Sequence, residues 1–416
     1  MKRTTKSVAV ATIAVAAMGM AGCAGQSGDG GTTLEVLTGV PADTAQFTAL
    51  EEAAAGFEKA NPGITVDLVP SSASYEQDLK VRLASRDVPT IFNTHGWSLD
   101  RYSQFLLPLT DQDWATSVNP ALDAAMRDDA GDIYALPLDV AVAGLVYNVS
   151  ALEAAGIDPA SLTTWEAFDE AAAAAKAAGI VPIVASAKDS WTAGNIADWM
   201  APGYFDEAQL TAMQDGDFDA AAYGEMLTRV SEWSTAGYFN PDYTSATLTD
   251  VLRSMATGEG AFYFQTNAVV PSALTLNPDV ELGFVPVPSE VGSPYLIGGE
   301  SVAFGVSKTD DMQDEALKFL EYLAQPEQLA ALATTLGNAA GLTDADADLG
   351  VMQSSYDTYV TAAQTPLVPY FDRVYLPGGM WDTMVTTTDS MITGQGTPDQ
   401  AASQMATSFD TLFAQD

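Results

Sequence analysis

Histidine and cysteine, two common catalytic residue types, are scarce in this chain. It has one histidine, His95, and one cysteine, Cys23, so a Ser-His-Asp or Cys-His arrangement could be built only on His95. The sequence contains no nucleophile elbow, phosphate-binding loop, dinucleotide fingerprint or zinc-spaced Cys/His cluster. Its 55 acidic residues must include, by chance, pairs at the separation that glycoside hydrolysis needs. The acid content therefore does not indicate an enzyme.

One short acidic string resembles a metal site. Asp344, Asp346 and Asp348 match the first ligands of a calcium loop. However, Leu349 stands where the tight-turn glycine belongs, and Ser355 stands where the bidentate glutamate belongs. We interpret the string as a polar loop and predict no metal and no other cofactor.

Aromatic side chains give a clearer indication of a ligand. Sugars present apolar C–H faces and many hydroxyl groups, which flat rings and planar polar groups hold in a cleft. Trp97, Trp191 and Trp381 stand at loops or helix starts, where a cleft wall would lie, although each could equally pack in the core. Trp165 and Trp233 follow regular helical patterns, which favours the core.

The N-terminus predicts export and anchoring. Residues 1–22 have a basic start, a short apolar stretch and a small-residue end, the pattern of a secretory signal. The apolar stretch is shorter than the roughly 20 residues that cross a bilayer. The run Met20–Cys23 resembles a bacterial lipobox, so we expect lipid on Cys23. Residues 23–33 are rich in Gly and polar residues and would form a flexible tether.

Composition and patterning predict two α/β domains behind this tether. The chain is longer than one core usually supports, and 47% of its residues are hydrophobic. Strand-like and helix-like segments alternate, which favours parallel sheets with helices on both faces. The formal net charge of −39 disfavours nucleic acid, anionic membrane surfaces and anionic ligands as partners.

An ordered set of segments resembles the family 1 extracellular solute-binding proteins, which include maltose- and oligosaccharide-binding lipoproteins. The segments run from about residue 34 to the C-terminus and are 56–66, 133–148, 156–166, 257–262, 284–308, 315–328 and 394–402. The resemblance implies a two-lobed, periplasmic-binding-protein-like fold with three crossings between the lobes. It places residues 34–140 and 287–338 in the N-terminal lobe, and 141–286 and 339–416 in the C-terminal lobe. We expect the crossings near residues 139–143, 284–288 and 337–341.

The resemblance also implies a ligand site between the lobes, at the carboxyl ends of strands. Asp43, which could instead cap a helix, occupies the position of a hydroxyl-binding acid. Arg373 could bind a hydroxyl or pair with an acid. The chain lacks the tryptophan that often follows residues 258–262, and this leaves one subsite in doubt. The remaining positions that match family ligand contacts are His95, Trp97, Asp139, Gln265, Asn267, Gly298, Gly299, Glu300 and Trp381.

The expected function is capture of a sugar, above all a neutral oligosaccharide, and its delivery to the permease of an ABC importer. We expect a monomer on the outer face of the cell membrane. Alternative ligands are a polyamine, which would suit the acidic surface, and a sugar alcohol. A sugar phosphate would need several basic residues, and these are scarce. A secreted glycoside hydrolase is the alternative from another class.

Overall fold

The computed structural model of the protein describes residues 31–72, 75–267 and 269–414. The signal sequence, Cys23 and most of the tether lie outside these residues. The strands of the described part are β1 (Thr32–Leu37), β2 (Ile64–Val69), β3 (Ile91–Thr94), β4 (Leu136–Pro137), β5 (Asp139–Asn148), β6 (Val181–Ile183), β7 (Gly260–Thr266), β8 (Leu282–Val285), β9 (Leu296–Gly299), β10 (Ala303–Val306), β11 (Ala339–Ala340) and β12 (Leu367–Val368).

The α-helices of the described residues connect these strands, with short 3₁₀ turns between some of them. None of them has the length and apolar character that a membrane span requires. They are α1 (Ala45–Ala60), α2 (Tyr75–Ser85), α3 (Leu99–Tyr102), α4 (Asp123–Met126), α5 (Val149–Ala155), α6 (Trp165–Ala177), α7 (Trp191–Met200), α8 (Glu207–Gln214), α9 (Ala220–Ala236), α10 (Leu248–Thr257), α11 (Val269–Leu276), α12 (Gln313–Leu323), α13 (Pro326–Thr334), α14 (Gln353–Tyr356), α15 (Phe371–Val374), α16 (Trp381–Ile392) and α17 (Pro398–Phe413).

The strands form two sheets, one in each lobe, which confirms the two-lobed α/β prediction. The first sheet has the order β2-β1-β3-β10-β4, and the second has the order β12-β9-β5-β7-β6 with β8 and β11 also paired to β5. Both sheets are mixed, whereas the sequence pattern predicted parallel ones. In the first, β1 pairs in parallel with β2 and β3, and β10 runs antiparallel to β3. In the second sheet, β5 runs antiparallel to β7, β8 and β9, and β6 pairs in parallel with β7.

The second crossing differs from its predicted position. We expected the chain to return to the N-terminal lobe near residues 284–288, but β9 pairs with β5 at residues 141–143 in the second sheet. Only β10 joins the first sheet. The chain therefore crosses at residues 300–302, and residues 287–299 belong to the C-terminal lobe. The Pro-rich stretch that suggested the earlier boundary is a connection between two strands of the same sheet.

An aromatic cluster forms the centre of the C-terminal lobe. Trp165 and Trp233 are 1% and 2% exposed and their rings lie 5.6 Å apart, and Phe168 packs against both. Helix α6 begins at Trp165 because the Thr164 hydroxyl accepts a hydrogen bond from the Ala167 N–H. The prediction that these two tryptophans are core residues is confirmed.

Candidate functional site

The three crossings between the lobes meet at Asp139. This residue is 0% exposed and begins β5, the first crossing. From the second crossing, its carboxylate accepts hydrogen bonds from the Val302 N–H (3.0 Å) and from the Ser301 N–H and hydroxyl. From the third, it accepts one from the Asn338 side-chain amide at 2.6 Å. Burial raises the pKa of Asp139, and these donors oppose the increase. Asp139, predicted as a ligand contact, thus joins the hinge segments.

Two further predicted contacts belong to the same hinge. The buried Asn267 donates from its side chain to the Gly337 carbonyl at 3.3 Å, and its own N–H donates to Val142. A side chain at Gly298 would collide with the Ala141 carbonyl, so glycine is required where β9 passes β5. As ligand contacts, Asn267 and Gly298 stay predictions, since their structural roles explain these residue types.

Glu300 lies beside the hinge on the second crossing. It is 3% exposed, and its Oε2 atom is buried with no hydrogen-bond partner among the described residues. Burial raises its pKa to about 8, the negative Asp139 adds to the increase, and Arg373 opposes it. Glu300 is therefore a neutral acid at pH 7. Its backbone carbonyl accepts from the Gly96 N–H at 2.8 Å, which connects the crossing to the loop after β3.

That loop forms the N-terminal wall of the cleft. β1 and β3 are parallel, so the chain leaves both at the same edge of the sheet, where α/β proteins bind ligands. Trp97 has a φ of +61°, a conformation that costs energy for a bulky residue and often occurs at functional sites. Its indole N–H donates to the Gly298 carbonyl at 2.6 Å, and its Nε1 atom lies close to Gly299. Trp97 therefore reaches across to the C-terminal lobe.

The C-terminal wall is formed by the segment around α15 and the start of α16. The Arg373 guanidinium lies over the Tyr370 ring, 4.3 Å from its centroid, and donates to the Gly96 carbonyl at 3.5 Å. The Trp381 ring packs against α7, where a side chain at Gly194 would meet it at 2.8 Å. Gly194 thus lets the indole lie against the helix while Trp381 stays partly exposed.

These two walls border a cavity of about 290 Å³, close to the lower end of the range that small-molecule sites occupy. The structure brings four predicted ligand residues together around it, His95, Trp97, Arg373 and Trp381. The lining also includes residues that were not predicted from the sequence, and four of them matter for the site. These are Arg101, Asp372, Gly378 and Gly379.

Three predicted contacts lie elsewhere and stay predictions. Asp43 is exposed in the turn before α1, and Thr44 caps the helix in its place. Trp191 is the first residue of α7, one turn before Gly194 and thus on the face that Trp381 covers. The Gln265 side chain accepts from the Thr266 N–H at 2.7 Å and lies 3.5 Å from the Tyr263 hydroxyl.

Comparison with known proteins identifies the family. Residues 41–330 match the model of the bacterial extracellular solute-binding proteins. The melibiose/raffinose/stachyose-binding protein MelE of Bacillus subtilis is 29% identical over 366 residues, which are 85% of this chain and 84% of MelE. The structure of a B. subtilis binding protein, MsmE, in an open conformation gives a TM-score of 0.87 at 27% identity, with 94% of this chain and 99% of that one covered.

A second solved structure carries a sugar. It is a sugar transporter from Bacillus licheniformis in complex with stachyose, with a TM-score of 0.78, 30% identity and coverage of 92% of this chain and 100% of that one. The matching family consists of binding proteins, and so do these relatives. This excludes the glycoside hydrolase alternative. The chain therefore belongs to the bacterial extracellular solute-binding protein family and is an extracytoplasmic binding protein, not an enzyme.

Proposed function

We propose that this protein captures a neutral oligosaccharide in the cleft between its lobes and delivers it to the membrane subunits of an ABC importer. The observation that carries the proposal is the cavity between Trp97 and Trp381, which come from opposite lobes. Each indole offers an apolar face to a sugar ring. His95, Arg101 and Asp372 supply hydrogen-bonding groups around the same space.

The charges around the cavity disfavour the polyamine alternative. A polycation would need several exposed carboxylates, but Asp372 is the one acid among the residues that line the cavity, and Arg101 and Arg373 line it as well. The acids next to it are withdrawn from solvent, since Glu300 is 3% and Asp198 2% exposed. Burial raises the pKa of both, which favours their neutral forms. The acidic charge of the chain lies mainly on its outer surface.

The relatives support raffinose and stachyose as the first ligands to test. The names of the B. subtilis relative and of the B. licheniformis complex include stachyose, and the former also includes melibiose and raffinose. All three are neutral oligosaccharides. We further propose that lipid on Cys23 holds the protein, as a monomer, at the outer face of the cell membrane.

A thermal-shift screen of residues 24–416 tests the proposal. Ligand that binds only the folded state stabilises it by mass action, so raffinose or stachyose should raise the melting temperature in a dose-dependent way. Maltotriose and spermidine serve as the comparison ligands. A shift with spermidine and none with any neutral sugar would contradict the proposal.

A further inference from the structure

A buried carboxyl group lies directly behind one residue of the cavity wall. Asp372 lines the cavity at the start of α15. Asp198 lies in the last turn of α7 and is 2% exposed. The Asp372 N–H donates to Asp198 Oδ1 at 2.9 Å, so the two carboxyl groups are close neighbours, and the charge of Asp372 raises the pKa of Asp198. Two neighbouring carboxyl groups that are withdrawn from solvent disfavour the state in which both are ionised, which favours a single proton held by the pair.

The surrounding charges decide which residue holds it. Burial raises the pKa of both groups. The guanidinium groups of Arg373 and, to a lesser degree, Arg101 favour the ionised form of Asp372. The negative charge of Asp372 then raises the pKa of Asp198 further. Arg373 also lowers the pKa of Asp198, but burial and the charge of Asp372 act on it more strongly. The other titratable groups that interact with Asp198 are Tyr223, Tyr295 and Tyr370. Asp198 is therefore the acid and Asp372 the carboxylate.

We propose that Asp372 is a ligand-contacting residue that accepts hydrogen bonds from sugar hydroxyls, and that protonated Asp198 is the positioning residue that orients it. The proposal rests on the oligosaccharide function proposed above. A carboxylate accepts stronger hydrogen bonds from hydroxyls than a neutral group does. Asp198 fixes α15 through the Asp372 N–H and directs the Asp372 side chain through its own hydroxyl, so both the backbone and the carboxylate are preset before sugar arrives.

The arrangement gives Asp372 a part in specificity. A sugar with hydroxyl donors at this wall would satisfy a carboxylate that Arg373 and Arg101 keep ionised. A ligand without donors there would leave that carboxylate partly desolvated and unpaired, which is costly. Asp372 would therefore select polyhydroxylated ligands and reject anionic ones by repulsion.

Calorimetric titration with stachyose and raffinose, using four variants, tests the proposal. Asp372→Asn should weaken binding by roughly 10- to 100-fold, the effect of losing charge-assisted hydrogen bonds. Asp198→Asn should bind within about threefold of wild type, because its amide still donates to Asp372 and its carbonyl still accepts the Asp372 N–H. Asp198→Leu lacks both groups and should weaken binding by at least tenfold. The exposed Asp382→Asn on neighbouring α16 is the matched control and should bind as wild type.

An infrared difference spectrum provides a readout that does not depend on binding. Wild type minus Asp198→Asn should show the carbonyl stretch of a protonated carboxyl group at neutral pH. Absence of this band would overturn the assignment of the proton to Asp198. If wild type binds sugar and Asp372→Asn binds it equally well, this inference is overturned and the proposed function is not. Failure of wild type to bind any neutral oligosaccharide would overturn both this inference and the proposed function.

Discussion

Glu300 should make the protein less stable as the pH rises, and replacing it with glutamine should remove the effect. In the folded protein its pKa is about 8, compared with an ordinary value of 4.5. Between these values the unfolded chain has lost the proton and the folded chain still holds it. The unfolded state then binds fewer protons, so the free energy of unfolding falls with increasing pH. The contribution is fully present below about pH 4.5 and is lost by about pH 8.

The size of this effect follows from the same two values. Each pH unit between them changes the free energy of unfolding by about 1.4 kcal/mol, so the window from 4.5 to about 8 corresponds to about 5 kcal/mol. Glutamine has a similar shape and does not ionise. Glu300→Gln should therefore gain stability relative to wild type by about 3–5 kcal/mol between about pH 5 and pH 8.5. A change in packing caused by the substitution affects the free energy of unfolding equally at both pH values, so it cancels in the comparison.

Urea unfolding of both proteins at the two pH values measures this difference. Glu52→Gln on the exposed surface of α1 is the matched control and should follow wild type. The reasoning would be refuted if Glu300→Gln and wild type lost stability in parallel, because Glu300 would then ionise in the folded protein as it does in the unfolded chain.

Substitutions in three regions test the hinge, the ligand-binding wall and the lipid anchor separately. In Asp139→Ala the donors of Ser301, Val302 and Asn338 lose their acceptor, at about 1–3 kcal/mol each, so thermal unfolding should show a loss of about 3–5 kcal/mol of stability. Asp139→Asn should lose less stability than Asp139→Ala. Equal melting curves for Asp139→Ala and wild type would contradict the hinge role. Trp381→Ala should weaken stachyose binding by about 2–4 kcal/mol. Trp165→Ala should instead lower mainly the stability, by about 3–5 kcal/mol. The opposite pattern would place the cleft elsewhere. Cys23→Ser should leave the membrane fraction on cell fractionation, and its retention there would exclude the lipid anchor.

Regular elements could be predicted from local sequence because their signals are local. The start of α17 (Pro398–Phe413) is marked by such a signal, because Thr397 and Gln400 form a capping box and Pro398 is its first residue. The same holds for β2, which follows Asn61-Pro62-Gly63 at the end of α1. The position of the second crossing was not predictable in this way. Whether β9 pairs with β5 or with the first sheet depends on contacts between residues about 150 positions apart.

The site was predictable only in part for a related reason. The sequence could single out His95, Trp97, Arg373 and Trp381, which line the cavity, because they are rare or aromatic residues at the ends of elements. A ligand contact of Asp139 stays a prediction, but its place in the hinge was not predicted, since a carboxylate that joins three distant segments has no local signature. Asp198 was missed altogether. It is one of many acids in this chain and lies in an apolar helix, and its pairing with Asp372 spans 174 positions.

A crystal structure of the protein with stachyose tests the central claim most directly. The account predicts sugar density between the lobes, with one ring against the Trp381 indole and a hydroxyl within hydrogen-bonding distance of the Asp372 carboxylate. It also predicts that Asp139 keeps its hydrogen bonds to the second and third crossings and makes no contact with the sugar. Stachyose bound outside the cavity between Trp97 and Trp381, or in direct contact with Asp139, would contradict it.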